Sequence, residues 1–125
     1  MKEVVKIEGA KKTAIPISPG MIAGDFIFVS GQVSMNLDTG EPLRGDIKTE
    51  TRQVLENIKR ILESAGSSLE KVVKTTVFLG NIEDYSAMNE VYAEYFPRDP
   101  PARSCFAVGK LAGNYKVEIE AIAVK

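Results

Sequence analysis

The fold is decided by two segments near the end of the chain, PPARSCFAV at 100–108 and KVEIEAIAV at 116–124. The two prolines fix φ ahead of the first segment and favour extended backbone before them, so we predict that Arg103 lies on a stiff strand. Side chains alternate along a strand, which places Arg103 and Cys105 on the same face. The second segment has one purely apolar face, formed by Val117, Ile119, Ala121 and Ala123.

The other face of the second segment mixes two carboxylates, Glu118 and Glu120, with the aliphatic residues Ile122 and Val124. This composition suits neither a fully solvated surface nor an ordinary core. We therefore predict that a second copy of the chain covers this face.

The relation between Arg103 and the two glutamates depends on how the segments pair. In an antiparallel hairpin with Cys105 opposite Glu118, Arg103 lies beside Glu120 and diagonal to Glu118, all on one face. A slip of one residue separates them, and the turn at 109–115 is too long to dictate the register.

Length and composition limit the classes of protein to consider. A chain of 125 residues is predicted to form one domain, 1–125, with one core. With 16 basic and 17 acidic residues and no basic block, nucleic acid is not an expected partner. A single cysteine suits a reducing compartment, and without a signal-peptide-like start or a membrane-length apolar run we expect a cytoplasmic protein without a membrane partner.

The chain contains no histidine. Catalysis by Ser-His-Asp or Cys-His groups is thereby excluded, as are histidine zinc sites. An enzyme of this composition works with carboxylates, arginine, backbone groups and water.

Hydrophobic periodicity predicts an α+β domain with two layers, in which both helices pack on one face of a mixed sheet. Gly31, at the end of an apolar strand, indicates a β-bulge or a close approach to the backbone. In chain order the predicted elements are a strand at 4–7, an irregular segment at 9–20, a strand at 26–32, a helix at 47–65, a strand at 72–79, a helix at 82–96 and the two terminal strands.

The terminal motif closely resembles the pattern of the RidA family, also called YjgF/YER057c, the reactive imine and enamine deaminases. The segments that carry it are PARSCF at 101–106, GKL at 109–111 and VEI at 117–119. The likeness extends in family order to VSGQ at 29–32, VKTTVF at 73–78, Asn89 and EAIAV at 120–124.

The resemblance implies a chorismate-mutase-like fold and a homotrimer whose sheets line a central β-barrel, with ligand clefts between neighbouring subunits. It implies hydrolysis of 2-imino acids, such as 2-iminobutanoate and 2-iminopropanoate, to 2-oxo acids and ammonia without a metal or an organic cofactor. The family's carboxylate-binding arginine falls on Arg103 and its cleft glutamate on Glu118. Its remaining cleft positions fall on Gly31, Asn89 and Cys105.

One departure concerns the loop before the second strand, where many family deaminases carry a tyrosine and this chain has Ile17. This favours an alternative function, in which the protein binds a 2-oxo acid or another small carboxylate without turnover and regulates a partner. Activities on RNA or as a chaperone have been ascribed to some relatives, and the balanced charge argues against RNA.

The residue types suit imine hydrolysis. The planar fork of Arg103 can bind a carboxylate through two hydrogen bonds, although a surface arginine or a salt bridge to Glu120 is the alternative.

Glu118 can deprotonate water or protonate the leaving nitrogen, and an interfacial salt bridge is the alternative role. Apolar neighbours would raise the pKa of Glu118, whereas Arg103 would lower it. Cys105 lacks an activating histidine, so we interpret it as a small residue lining the cleft. Asn89 is interpreted either as a ligand contact or as an ordinary hydrogen-bonding residue on the helix surface.

Overall fold

The computed structural model describes residues 1–125. Its elements alternate in the predicted order, with short 3-10 turns at 69–71, 82–84 and 112–114. The strands and helices are β1 (Lys2–Val4), β2 (Gly20–Ala23), β3 (Phe26–Gln32), α1 (Ile47–Ser64), β4 (Val72–Leu79), α2 (Tyr85–Tyr95), β5 (Ala102–Ala107) and β6 (Val117–Val124). No helix combines the length and hydrophobicity required to cross a bilayer.

The six strands form one mixed sheet in the order β1-β2-β3-β6-β4-β5. Neighbours are antiparallel except for β4 and β5, which are parallel and are joined through α2. Helix α1 packs against β3, β6 and α2. The predicted α+β class and the two helices on a mixed sheet are confirmed.

The antiparallel hairpin considered for the two terminal strands does not form, because β4 lies between β5 and β6. β4 carries four buried side chains along its eight residues, and its position between β5 and β6 gives its backbone hydrogen-bonding partners on both edges. In the pairing of β4 with β5, Thr75 is opposite Arg103, and in the pairing of β4 with β6, Phe78 is opposite Glu118. Positions 75 and 78 point to opposite faces, and Arg103 and Glu118 therefore lie on opposite faces of the sheet.

Helix α1 begins where Asp46 caps it, since the Asp46 carboxylate accepts a hydrogen bond from the Thr49 N–H at 2.8 Å. It ends before Gly66, whose φ of +80° is the left-handed conformation that favours glycine. Its buried stripe joins the inner face of β6 in the core. The fully buried members of that stripe are Val54, Leu55, Ile58, Ile61 and Leu62.

A buried carboxylate in α1 fixes the start of β6. Glu50 is only 1% exposed, and its Oε1 accepts a hydrogen bond from the Lys116 backbone N–H at 2.9 Å. Its Oε2 lies 3.6 Å from Nζ of the same lysine. The first turn of α1 is thus attached to the residue two positions before Glu118.

Some element boundaries differ from the predicted ones. The first strand covers Lys2–Val4 rather than 4–7, and Gly20–Ala23 forms a strand that the periodicity did not predict. Helix α2 starts at Tyr85, after a 3-10 turn at 82–84. The apolar residues Met88, Val91, Tyr92, Tyr95 and Phe96 recur at helical spacing, and all but Tyr95 are buried. Tyr95 turns its hydroxyl outward to donate to Glu56 Oε2 at 2.7 Å. Partial burial and this carboxylate raise the pKa of Tyr95 to about 12.

The sheet face opposite the helices is uncovered within the chain. Phe26, Phe28 and Phe106 expose 45%, 44% and 46% of their surface on it. Ile122 and Val124 of β6 pair with Phe28 and Phe26 and widen the same apolar area. An apolar face of this extent is typical of an interface.

Candidate functional site

Arg103 projects from β5 onto α2, on the helical side of the sheet. Its Nη1 donates to Asn89 Oδ1 at 2.8 Å, and its Nη2 donates to the Tyr85 hydroxyl oxygen at 3.2 Å. The guanidinium carbon lies 4.8 Å from the centre of the Tyr92 ring and 5.6 Å from that of Tyr85. Two neutral acceptors and two aromatic faces therefore hold the cation in one orientation.

None of the four salt bridges in the structure includes Arg103, so the alternative of an ion pair with Glu120 does not apply within this chain. A guanidinium has five N–H donors, and oxygen acceptors occupy two of them. A half-buried cation with unused donors and no carboxylate is a favourable place for an anion.

Residues of α2 fix the orientation of the Arg103 guanidinium. Met88 and Tyr92 belong to the buried stripe of α2, and Asn89 lies next to Met88 on the edge of that stripe. The Tyr92 hydroxyl is fixed by a 2.7 Å hydrogen bond with Thr75 Oγ1, directly across from Arg103 in the β4–β5 pairing. Burial raises the pKa of Tyr92, although the hydrogen bond with Thr75 and the nearby Arg103 oppose the effect, so this phenol stays neutral.

Asn89 is engaged with Arg103 rather than free, because its side-chain oxygen accepts the 2.8 Å bond. Cys105 lies two residues along β5 on the same face and packs against the core. Burial raises the pKa of its thiol, with a smaller opposing effect of Arg103. A thiol kept protonated in this way is a poor nucleophile, which agrees with our interpretation of Cys105 as a lining residue.

Glu118 lies on the other face of the sheet, next to Gly31. The ladder between β3 and β6 is interrupted between Val29 and Gln32, so Gly31 is in the predicted bulge. A Cβ at position 31 would overlap the carboxylate of Glu118, lying 2.9 Å from its Cδ and 3.1 Å from its Cγ. The absence of a side chain at Gly31 thus gives the Glu118 carboxylate its place.

The environment of Glu118 favours its protonated form. Partial burial raises the pKa of this carboxyl above its usual value of 4.5, and the charge of Glu120 raises it further. Arg103 does not contribute, because it lies on the opposite face of the same sheet. Of the two opposing influences predicted from the sequence, burial therefore dominates within one chain.

Ile17 is in the irregular loop before β2 and is 57% exposed. Its neighbour Ser18 accepts a hydrogen bond from the Ser30 hydroxyl at 2.5 Å, and Pro19 accepts one from the Ser30 N–H at 3.0 Å. The loop is thereby attached to the residue before Gly31 and belongs to the same side of the molecule as Glu118.

The six predicted site residues fall into two groups. We call Arg103, Asn89 and Cys105 the arginine half-site, on the helical face, and Glu118, Gly31 and the Ile17 loop the glutamate half-site, on the other side. A cavity of about 770 Å³ lies near the end of α2 between residues such as Lys59, Phe96 and Pro101, and none of the six lines it. One chain alone does not bring the two half-sites together.

Sequence reasoning missed the two tyrosines that hold Arg103. The apolar pattern of the second helix predicts Tyr92 only as a core residue, and it gives Tyr85 no role. The available signal was their spacing: positions 85, 89 and 92 recur at four and three residues, which places them on one side of a helix with Asn89.

The sequence profile of the endoribonuclease L-PSP family matches residues 8–125. The chain is 52% identical over 125 residues to a RutC family protein of Pyrococcus horikoshii, covering 100% of this chain and 99% of that protein. It is 40% identical over 122 residues to the chloroplastic Reactive Intermediate Deaminase A of Arabidopsis thaliana, covering 98% of this chain and 65% of that protein. It also matches the crystal structure of E. coli TdcF with bound serine, with a TM-score of 0.90, 36% identity and 98% of each chain covered.

Proposed function

The chain belongs to the endoribonuclease L-PSP family, the RidA family indicated by its terminal motif, and on that premise we propose that it hydrolyses reactive 2-imino acids to 2-oxo acids and ammonia. The observation that carries the proposal is the Arg103 guanidinium, which neutral groups hold in place and no carboxylate neutralises. Such a group is suited to the carboxylate of a small acid.

The relatives support the same chemistry. One is named as a reactive intermediate deaminase, and another holds serine, a small molecule with a carboxylate and a nitrogen on the adjacent carbon. These are the two functional groups that a 2-imino acid presents. The substrates 2-iminobutanoate and 2-iminopropanoate are our proposal for this chain.

Assembly is part of the proposal, because the two half-sites lie on opposite faces of one sheet. A cleft with both a guanidinium and a carboxylate forms when the arginine half-site of one copy meets the glutamate half-site of the next. This head-to-tail contact closes into a ring, and we propose a homotrimer. In it, the uncovered sheet face with Phe26 and Phe28 turns inward as a central barrel.

In the proposed reaction, Arg103 binds the substrate carboxylate and orients C2 toward the glutamate half-site of the neighbouring subunit. Water attacks C2 of the protonated imine while the Glu118 carboxylate takes one of its protons, which gives a carbinolamine. The protonated Glu118 then donates that proton to the amino nitrogen, and the C–N bond breaks. As ammonia leaves, the hydroxyl proton passes to solvent, the C=O bond of the 2-oxo acid forms, and Glu118 is again a carboxylate.

The remaining groups position the water and the ligand. Backbone groups at Gly31 can approach the substrate because no Cβ intervenes. The backbone carbonyl of Cys105 is a candidate acceptor for the attacking water. No step needs a metal ion or an organic cofactor.

The test is turnover of 2-iminobutanoate, formed in situ by an amino acid oxidase or a dehydratase and followed by its rate of disappearance. Purified protein at nanomolar to micromolar concentration is expected to accelerate hydrolysis in proportion to its concentration. A rate equal to that of buffer alone would overturn the enzymatic proposal.

A second candidate is a non-catalytic protein that binds a 2-oxo acid and regulates a partner. The specific observation is Ile17, an exposed aliphatic side chain that offers no proton donor in the loop beside the glutamate half-site. Calorimetric binding of 2-oxobutanoate without any imine turnover would favour this candidate, and rapid turnover would exclude it as the sole role.

We expect Gly31→Ala to reduce activity while leaving the fold intact. The new Cβ displaces the Glu118 carboxylate, a flexible side-chain end that can move at little cost in stability. A displacement of about 1 Å in a reacting group lowers kcat about 10- to 100-fold. Steady-state kinetics and thermal melting of the variant measure the two effects.

Gly109→Ala is the matched control, since a Cβ there meets nothing within 4 Å. It is expected to retain the activity and melting temperature of the parent. Full activity of Gly31→Ala would show that the contact between Gly31 and Glu118 is irrelevant to the reaction.

A further inference from the structure

Tyr85 occupies the first position of α2 and lies at the outer side of the arginine half-site. Its hydroxyl oxygen is 3.2 Å from Arg103 Nη2, and its ring centre is 5.6 Å from the guanidinium carbon. The residue is 40% exposed, and its contact with the cation is at the surface of the chain. The Tyr85 hydroxyl takes no part in the proposed hydrolysis.

The hydrogen-bonding capacity of the phenol is only partly used. A tyrosine hydroxyl has one proton to donate and accepts through its lone pairs. Since Arg103 can only donate, the Tyr85 oxygen is the acceptor in their contact, and its own O–H has no acceptor in the structure. That proton is therefore free for a ligand that binds at the same guanidinium.

Tyr92, the other tyrosine at Arg103, cannot do the same. Its hydroxyl is buried and shares a 2.7 Å hydrogen bond with Thr75 Oγ1, and only its ring faces the cation. Asn89 has its side-chain oxygen turned toward Arg103. Among the groups that hold the guanidinium, Tyr85 is the one with an exposed hydroxyl proton next to the unused N–H donors.

We propose that the Tyr85 hydroxyl is a second binding donor of the site, which hydrogen-bonds one carboxylate oxygen of a small 2-imino or 2-oxo acid while Arg103 binds the carboxylate through its fork. This deepens the proposed function and rests on it for the class of ligand. A carboxylate has two oxygens with about four acceptor positions, so it accommodates the guanidinium and the phenol together. The carboxylate is present in substrate, transition state and product, and the bond contributes equally to all three.

Tyr85→Phe removes the hydroxyl and leaves the ring beside Arg103, which makes it the informative variant. Loss of a hydrogen bond to a charged group predicts an increase of about tenfold in the dissociation constant of 2-oxobutanoate, measured by calorimetry. For 2-iminobutanoate, KM is expected to rise by a similar factor with kcat within about twofold of the parent, the pattern of a lost uniform binding interaction. Tyr95→Phe is the matched control, because it removes another phenol from the same helix, one that bonds Glu56 and not Arg103, and is expected to leave both constants unchanged.

Tyr85 could also affect binding only by orienting the Arg103 guanidinium. Repeating Tyr85→Phe in an Arg103→Lys background distinguishes this from a direct bond to the ligand, because the lysine has no guanidinium to orient. The inference predicts a further loss of affinity there, and no further loss would overturn it. Unchanged Kd and KM in Tyr85→Phe, or a fall in kcat alone, would also overturn it. The Tyr85 proposal and the deaminase proposal can fail separately. If the parent protein binds 2-oxobutanoate but does not hydrolyse 2-iminobutanoate, only the deaminase proposal is contradicted. If it neither binds the one nor hydrolyses the other, both proposals are contradicted.

Discussion

Arg103→Ala is expected to lower kcat/KM for 2-iminobutanoate by about 10²- to 10⁴-fold, because two charge-assisted hydrogen bonds of about 1.5–3 kcal/mol each are lost. Most of the loss is expected in affinity for the carboxylate, so 2-oxobutanoate binding should fall in parallel. Arg103→Lys keeps the charge but not the fork and is expected to lie between the parent and the alanine variant.

The matched control is Arg98→Ala, which removes an exposed arginine outside both half-sites. Thermal melting of each variant checks that the fold is retained, since Arg103 contributes two hydrogen bonds to α2. Parent-like kcat/KM in a folded Arg103→Ala variant would show that the guanidinium is structural and that the carboxylate binds elsewhere.

Glu118→Gln is expected to lower kcat by about 10²- to 10⁴-fold, the usual contribution of a positioned acid or base. The amide is nearly isosteric with the carboxyl but neither takes a proton from water nor returns it to the leaving nitrogen. KM should change only a few-fold, because Glu118 does not bind the carboxylate. Steady-state kinetics with the two constants resolved measures this separation.

The pH dependence identifies the role of Glu118 independently. A base must be ionised, so kcat/KM rises with pH through the Glu118 pKa, which partial burial and Glu120 place above 4.5 within the single chain. In the assembled cleft the guanidinium of the neighbouring copy opposes this shift. The rising limb should disappear in Glu118→Gln, and its persistence there would assign it to another group.

Glu120→Gln is the control for this profile. Glu120 is exposed on the same face, and its charge helps to raise the pKa of Glu118. Its removal is therefore expected to move the limb to lower pH while preserving the maximal rate. Loss of the maximal rate instead would make Glu120 the proton carrier.

Hydrophobic periodicity and the residues at the element ends were sufficient to predict several of the strands and helices. The bounds of β3 and β4 agree with the prediction, and α1 differs by one residue at its end. These elements have strong hydrophobic periodicity and clear ends, such as the Asp46 cap and Gly66. The first two strands were misplaced or missed because β2 is four residues long and its pattern is brief.

The pairing of β5 and β6 could not be predicted in the same way. Their sequences are compatible with a hairpin, and the insertion of β4 between them depends on contacts across the whole sheet. Because of it, Arg103 and Glu118, which one possible hairpin register would bring to the same face, lie on opposite faces. The spacing of Tyr85 and Asn89 and the glycine at position 31 are visible in the sequence, but which residue each of them contacts depends on the three-dimensional arrangement.

The central claim is that each cleft takes Arg103 from one subunit and Glu118 from another, and co-expression of the Arg103→Ala and Glu118→Gln chains tests it. Each variant alone is expected to be nearly inactive. With random assembly at equal expression, about one quarter of the clefts receive an intact arginine from one chain and an intact glutamate from the other, so about one quarter of parent activity should return. Activity no greater than that of the two separate variants would contradict the claim, because it would mean that both residues act from the same chain or that neither is needed.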